Sequence, residues 1–361
     1  MLYNNGGLMK IQKDELHTIL NKLKPVSLKD DLLVENFLGQ LIFSEDGISI
    51  FNDQTYIFYP IETDLSCIVS YTKLLNFITK TSGKFVKIVS TDDKVKVICG
   101  KASLTLNSLL LNEIDSKTIS EIKNSLIEGD FEEIPDGFLD GVEVCSLSTS
   151  KDPADGTLAC VCVSGDKIMG TDRTRVGLYT MQDSMSTPRT ILINSDLVST
   201  LIKFNPIGIK LTDSWAIYND DNECLLAMRI IRGKFPFNKF VKLFSNFESS
   251  EKIKLPDEVK RVLDLITSMV NETTYIDRYM YIQMEKDALT LSSTSESAVI
   301  KEKIKIAYKG TPFLISINPS ALQEALKVIE SPILEKDADN KKIMMQTDNF
   351  KHIIALKVVT E

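Results

Sequence analysis

Leu158–Met181 reads LACVCVSGDKIMGTDRTRVGLYTM. Leu158–Val163 and Lys167–Gly170 are short apolar runs joined by Ser164-Gly165-Asp166, whose Gly-Asp pair supplies hairpin turn chemistry. Val176–Met181 is a third apolar run, so the stretch predicts a three-strand meander. Between the second and third strands stands Thr171-Asp172-Arg173-Thr174-Arg175. Two arginines and an aspartate wedged between strands need water, a partner or one another.

Working outward, the pattern recurs. Ser70–Ile78 (SYTKLLNFI), Asn194–Ile202 (NSDLVSTLI) and Asn318–Leu326 (NPSALQEAL) each open on a helix-capping residue. Each continues with apolar residues at three- and four-residue spacing, as a helix does. Their starts differ by 194 − 70 and 318 − 194, both 124 residues. Equal spacing of this kind marks an internal repeat. Hairpin turns precede these helices at Glu45-Asp46-Gly47, Ser164-Gly165-Asp166 and Glu285-Lys286-Asp287. Strand–turn–strand segments follow them, with Thr91-Asp92, Thr212-Asp213 and Thr347-Asp348 at the turns. A first helix leads each repeat, at Lys13–Leu23, near Gly137–Ser148, and at Pro256–Val270. The last has Pro256 in its first turn and Asp257 and Glu258 beside the positive helix end. The unit is helix, β-meander, helix, β-meander, of the α+β class. Residues 9–128, 129–250 and 251–361 form the three expected domains, with polar stretches near 124–133 and 246–254 as boundaries. Residues 1–8 read as a loose extension, with Met9 an alternative start.

Each meander buries one face under its helices and leaves its outermost strands as edges. Three units joined edge to edge leave one edge at each end, and two chains can close a ring through those ends.

Composition fits a soluble, multidomain protein: 361 residues, 43% hydrophobic and 25% charged. The 42 basic and 50 acidic side chains give a net charge of −8. That excludes a surface that grips phosphate everywhere but leaves room for a local basic face. Cys67, Cys99, Cys145, Cys160, Cys162 and Cys224 are scattered in apolar, strand-like contexts, which reads as reduced, buried thiols in a cytoplasmic protein. Cys160 and Cys162 share one face of a strand, and with two histidines in the chain no metal site is expected. No apolar run approaches a membrane span, so no membrane partner is expected. Phosphate-loop, dinucleotide and zinc-protease motifs are absent, and neither His17 nor His352 has a nucleophile beside it. No catalytic residue and no cofactor are therefore expected.

The hairpin with TDRTR resembles the middle domain of the bacterial β sliding clamp, the DNA polymerase III beta subunit family. Arg232-Gly233-Lys234-Phe235-Pro236 resembles that family's Gly-(Lys/Arg)-Phe-Pro signature. Tyr308-Lys309-Gly310 and Ile317–Leu322 resemble its Tyr-x-Gly and Phe-Asn-x-x-Tyr-Leu region. The resemblance spans nearly the whole chain and implies three tandem clamp domains, half of a six-domain closed ring. Two departures stand out. The family tail Met-Pro-x-(Arg/Lys) is replaced by Ile353–Val359 (IIALKVV), and Arg173, Thr174, Arg175 and Val176 replace the usual end of the TD signature. A divergent, bacteriophage-encoded clamp fits these changes.

The resemblance implies a non-enzymatic processivity factor that encircles double-stranded DNA and tethers DNA polymerase. Its implied partners are DNA, polymerase, a clamp loader and a second copy of itself. The peptide groove carried over by motif would be lined by Leu158, Thr171, Arg173, Thr174, Arg175, Val176, Pro236, Val241, Ile354 and Leu356. An apolar cavity of this kind anchors leucine or phenylalanine side chains while polar groups orient them. Those same apolar residues could be plain core, and Arg175 could pair structurally with Asp172. DNA contact would come from basic residues on helices facing the hole: Lys10, Lys13, Lys22 and Lys24 in the first helix, then Lys73, Lys80, Lys203, Lys260, Arg261 and Lys327. The subunit seam would pair Lys101–Leu109, with Leu104 and Leu106 outward, against Ser297–Ile306, with Met269 and Val270 at the interface. Leu104 and Leu106 could equally be core, since alternation lets only one face be both.

Overall fold

The computed structural model describes residues 7–27, 37–91, 93–108, 117, 119, 121–122, 129–187, 189–270, 279–294 and 298–357. The first repeat runs β1 (Leu8–Gln12), α1 (Lys13–Leu23), β2 (Leu41–Ser44), β3 (Gly47–Phe51), β4 (Thr55–Pro60), β5 (Cys67–Val69), α2 (Tyr71–Lys80), β6 (Phe85–Ser90), β7 (Lys94–Cys99) and β8 (Ala102–Asn107). The second runs β9 (Glu132–Glu133), α3 (Phe138–Ser146), β10 (Cys160–Ser164), β11 (Lys167–Thr171), β12 (Arg175–Thr180), β13 (Ile191–Asn194), α4 (Val198–Phe204), β14 (Gly208–Leu211), β15 (Trp215–Asn219) and β16 (Leu225–Arg229). A further helix, α5 (Phe237–Ser245), precedes the third repeat. That repeat holds β17 (Ser249–Lys254), α6 (Glu258–Val270), β18 (Met280–Glu285), β19 (Ala288–Thr294), β20 (Val299–Lys305), β21 (Phe313–Ile317), α7 (Pro319–Val328), β22 (Ile333–Asp337), β23 (Lys342–Gln346) and β24 (Phe350–Ala355).

The expected order of helix and meander is present in all three repeats. Ser70, Asn194 and Asn318 each accept a backbone N–H at the start of the second helix, from Lys73, Asp196 and Ser320 respectively. Three details differ from the sequence reading. Leu8 opens β1, where its neighbour Gly7 is buried and exchanges hydrogen bonds with Ser90. Polar 249–254 is a strand, β17, paired with β22. Thr91 and Thr212 cap the first hairpin after their helix, but Thr347 caps the second, β23–β24. The equivalent turn of the third repeat is Ala338–Lys341.

Contacts divide the chain into two compact units, residues 1–134 with 199–230 and residues 135–198 with 231–361. The second repeat is shared between them. In the first unit, β5-β2-β3-β4-β16-β15-β14-β9 form one antiparallel sheet and β1-β6-β7-β8 another. The larger sheet is joined across repeats by β4 and β16, with Tyr56 opposite Ala227. α1 buries Leu16, Ile19, Leu20 and Leu23, the helical spacing of one apolar stripe, and packs beside α2, where the Tyr71 hydroxyl donates to Leu20 O at 2.9 Å. A second cluster on the larger sheet gathers Phe51, Tyr56, Trp215 and Ile217 with Phe37, Ile119 and Ile122.

The second unit repeats the plan. Its larger sheet is β13-β10-β11-β12-β24-β23-β22-β17, joined across repeats by β12 and β24, and its smaller sheet is β20-β19-β18-β21. α3 lies close enough to β11 that a Cβ at Gly170 would sit 2.0 Å from Cys145 O, so this position admits only glycine. Gln323 of α7 donates to Asp264 of α6 at 2.6 Å, tying those two helices.

Candidate functional site

The hairpin quoted at the outset builds the site. Pro153–Ala159 forms 3-10 turns, so the first strand starts at Cys160 rather than Leu158, and Leu158 is half-buried. The loop between β11 and β12 is folded by Asp172. Its Oδ1 accepts from Thr174 N at 3.0 Å, Thr174 Oγ1 at 2.7 Å and Arg175 N at 3.0 Å. Thr171, fully buried, donates its hydroxyl to Arg175 O at 2.6 Å. Arg173 takes φ +76°, a left-handed conformation costly for a residue with a Cβ, and its exposed guanidinium reaches Asp155 at 2.6 Å.

The two arginines thus behave differently. Arg175 is 8% exposed, with Nε on Asp172 at 2.8 Å and Nη1 on Glu324 of α7. Its charge is internal to the unit and not available as a surface contact. His352 sits nearby on β24, 1% exposed. Burial, then the Arg175 charge, pushes His352 down to about 3, so the ring is neutral at ordinary pH.

Strand alternation sorts the remaining expected residues. Val176 lies opposite Ile353, and Arg175 opposite Ile354. Val176 and Ile353 join an apolar cluster with Met169, Leu178, Met344 and Phe244, against which Phe235, Phe237, Phe240 and Val241 pack half-buried. Ile354, 1% exposed, shares Arg175's side of the sheet. The expected tail residue is therefore corrected by one position: Ile353 faces Val176, within the cluster against which Val241 packs. Pro236 is exposed at the start of α5, and Leu356 is half-buried just beyond β24. The phenylalanines of α5 are the part the sequence reading missed. Their signal was an aromatic at 237, 240, 244 and 247 with Val241, the spacing of one helical stripe.

The basic candidates divide too. Lys10 lies on strand β1, not on a helix. Lys13 donates to Thr81 O at 2.6 Å, at the end of α2. Lys22 is committed to Asp220, which is 3% exposed, and lies over the Phe204 ring at 5.1 Å. Burial alone would lower its pKa; the Asp220 hydrogen bond and the Cys224 and Asp220 charges raise it overall. Arg261 pairs with Glu302. Lys24 stands in a 3-10 turn, and Lys73, Lys80, Lys203, Lys260 and Lys327 stand exposed on helices. Of the seam residues, Leu106 is 5% exposed and belongs to its own core, contrary to expectation, and Leu104 is half-buried. The side chains of Met269 and Val270 lie outside the described residues.

All six thiols are free and buried. Burial pushes Cys160 up to about 11 and Cys162 to about 12, so neither is a ready thiolate. No helix among the described residues is long and apolar enough to cross a membrane.

No protein-family model matches the chain, and no curated protein matches it in sequence. Solved structures do. The beta subunit from DNA polymerase of Streptococcus pyogenes superposes with a TM-score of 0.80 at 14% identity, covering 98% of this chain and all of that one. The Pseudomonas aeruginosa sliding clamp bound to griselimycin gives 0.78 at 15% identity, with the same coverage. The Helicobacter pylori beta clamp bound to a DNA ligase peptide gives 0.77 at 14% identity, again over 98% and 100%. The chain has the α+β fold of the sliding clamps from end to end.

Proposed function

We propose that the chain is a homodimeric DNA sliding clamp, a non-enzymatic processivity factor that encircles duplex DNA. One observation carries this reading. In both eight-stranded sheets, the last strand of one repeat's first meander pairs with the last strand of the next repeat's second meander: β4 with β16, and β12 with β24. That rule leaves two strands over, β20 of the third repeat and β8 of the first. Both are sheet edges within the chain. An edge strand offers a row of unpaired backbone groups to another chain. A second copy, related by a two-fold axis, satisfies both edges at once and makes two further eight-stranded sheets.

The register follows by analogy. Tyr56, Val176 and Val299 are each the first residue in the last strand of a first meander to pair with the preceding strand, opposite Phe51, Thr171 and Thr294. Ala227 and Ile353 face the first two across the joins, and Thr105 occupies their position in β8. Thr105 of one protomer therefore faces Val299 of the other, an exposed residue that the seam would cover.

Six helix pairs would line the hole, with Lys24, Lys73, Lys80, Lys203, Lys260 and Lys327 supplying weak, sequence-blind attraction to phosphates. A topological tether needs no more, and an acidic body discourages binding elsewhere. The α5 face, with Val176, Val241 and the phenylalanines, would take apolar anchors of peptides from a polymerase and a clamp loader. The domains would be 9–128, 129–250 and 251–361.

The test is loading onto nicked circular plasmid with a compatible loader and ATP, followed by linearisation. Retention on the circle and loss from the line is the expected result. Equal retention on both would overturn encirclement, as would a monomer at the protein concentrations used for loading. The monomer result would leave a non-encircling scaffold.

A further inference from the structure

The β1-β6-β7-β8 sheet has one face of buried side chains and one whose side chains are exposed or half-buried among the described residues. Met9, Val86, Val95 and Leu106 point inward and are buried. On the other side Lys10, Lys87, Lys94 and Lys96 point outward and are exposed. Strand alternation places Leu8, Gln12, Phe85, Val89, Ile98, Ser103, Thr105 and Asn107 beside them, so the strand residues of this face include four lysines and no carboxylate. Lys10 stands directly opposite Lys87 in the register, a like-charged pair that costs stability. None of these lysines forms an ion pair with a described residue. The two larger sheets are arranged otherwise: one carries Phe37, Ile119 and Ile122 on its aromatic cluster, the other carries α5. On the smaller sheet of the second unit, Glu285 lies 3.9 Å from Lys303 and offsets its charge.

We propose that this face docks an acidic polypeptide segment, one that mixes carboxylates with aliphatic side chains. A protein of net charge −8 that gathers uncompensated lysines on one sheet face has a surface complementary to anions. Alternate residues of a strand recur about every 6.7 Å, as do alternate residues of an extended peptide laid along it. Phe85 on β6 is 45% exposed, giving apolar contact beside the charges. Single-stranded nucleic acid fits less well. Its bases need a free aromatic face, and the Phe85 ring already holds Lys10 Nζ at 4.9 Å and Lys84 Nζ at 5.8 Å from its centroid. An open groove lined by Leu8, Lys10 and Phe85 also carries Glu15, Glu62 and Asp64 and bounds the face at β1, so the segment would lie over β6 to β8, away from those carboxylates. The face lies within one chain, so a monomer carries it as well as a ring.

The experiment is a low-salt anisotropy titration of the full chain with a fluorescein-labelled peptide of glutamates and aspartates carrying a leucine at every fourth position. Saturable binding is expected, weakening with salt and falling about tenfold in Lys87→Glu/Lys94→Glu/Lys96→Glu. The milder Lys87→Gln/Lys96→Gln pair should fall less, with an unchanged thermal midpoint certifying the fold. No saturable binding to the wild-type chain, or equal binding by the reversed variant, would overturn the proposal. So would displacement of the peptide by an oligothymidylate whose own binding is stronger and is lost in the same variant.

Discussion

Arg175 links three elements through its guanidinium: the Asp172 loop, β12 and α7. Arg175→Gln leaves Asp172 and Glu324 without their shared cation. Both carboxylates are partly solvated, which tempers the loss, so a destabilisation of about 2 kcal/mol is expected, read as a lower thermal midpoint. A fall as small as that of an exposed ion pair would contradict this placement. His352 gives a pH signature. Its ordinary pKa is 6.5, and it is held at about 3 in the folded chain. Between those values the unfolded chain binds the proton and the folded chain does not, so stability from this group is complete above about pH 6.5 and lost as pH falls toward 3. The slope is about 1.4 kcal/mol per pH unit for one group. His352→Gln should therefore flatten the dependence of unfolding free energy on pH between 6.5 and 4, relative to the parent chain. Parallel curves would mean that His352 already carries its proton in the folded state.

At the scale of elements, the helices and hairpins were legible because their signals are local. Asn318 accepts from Ser320 N and Ala321 N, as its place before an apolar stripe implied, and Asn318→Ala should cost about 1 kcal/mol while Asn318→Asp costs less. What escaped the sequence was set by partners distant along the chain. β17 is a polar run, SSEKIK, that becomes a strand because β22 supplies its hydrogen bonds. Ile353 and Ile354 are equivalent as letters; the register of β24 on β12 decides which faces Val176. Lys22 read as a free base because Asp220 stands far away in sequence. α5 was missed although its stripe was present, since it opens on Pro236 after the Gly233-Lys234 turn instead of a capping side chain. Its half-buried stripe gives the groove its test. Val241→Glu should weaken binding of a labelled leucine- and phenylalanine-bearing peptide about tenfold or more, by placing a charge among apolar anchors. Oligomeric state should not change, because Val241 lies on α5 and neither edge strand is on that helix.

At the scale of the molecule, the proposed seam would turn a repeat protein into a ring, and its register is specific enough to fail. With Thr105 opposite Val299 of the partner subunit, acidic residues at both positions stand face to face, where like charges on a sheet are destabilising. Thr105→Asp/Val299→Asp should therefore shift sedimentation from dimer to monomer at concentrations where the parent chain is dimeric. Thr105→Lys/Val299→Asp places opposite charges at the same point and should restore most of the dimer. The comparison matters because either double variant alters the same two edge strands. A seam in another register would leave both variants equally impaired or equally intact. The two pairs should also separate on DNA: the lysine–aspartate variant retained on a circle and lost on linearisation, the aspartate pair not retained on either. Both should still bind the groove peptide, because Val176 and Ile353, against whose cluster Val241 of α5 packs, lie in a different sheet from either edge. Retention of the monomeric pair on circular DNA would mean that the chain holds DNA by direct contact, and the ring would then have no part in its function.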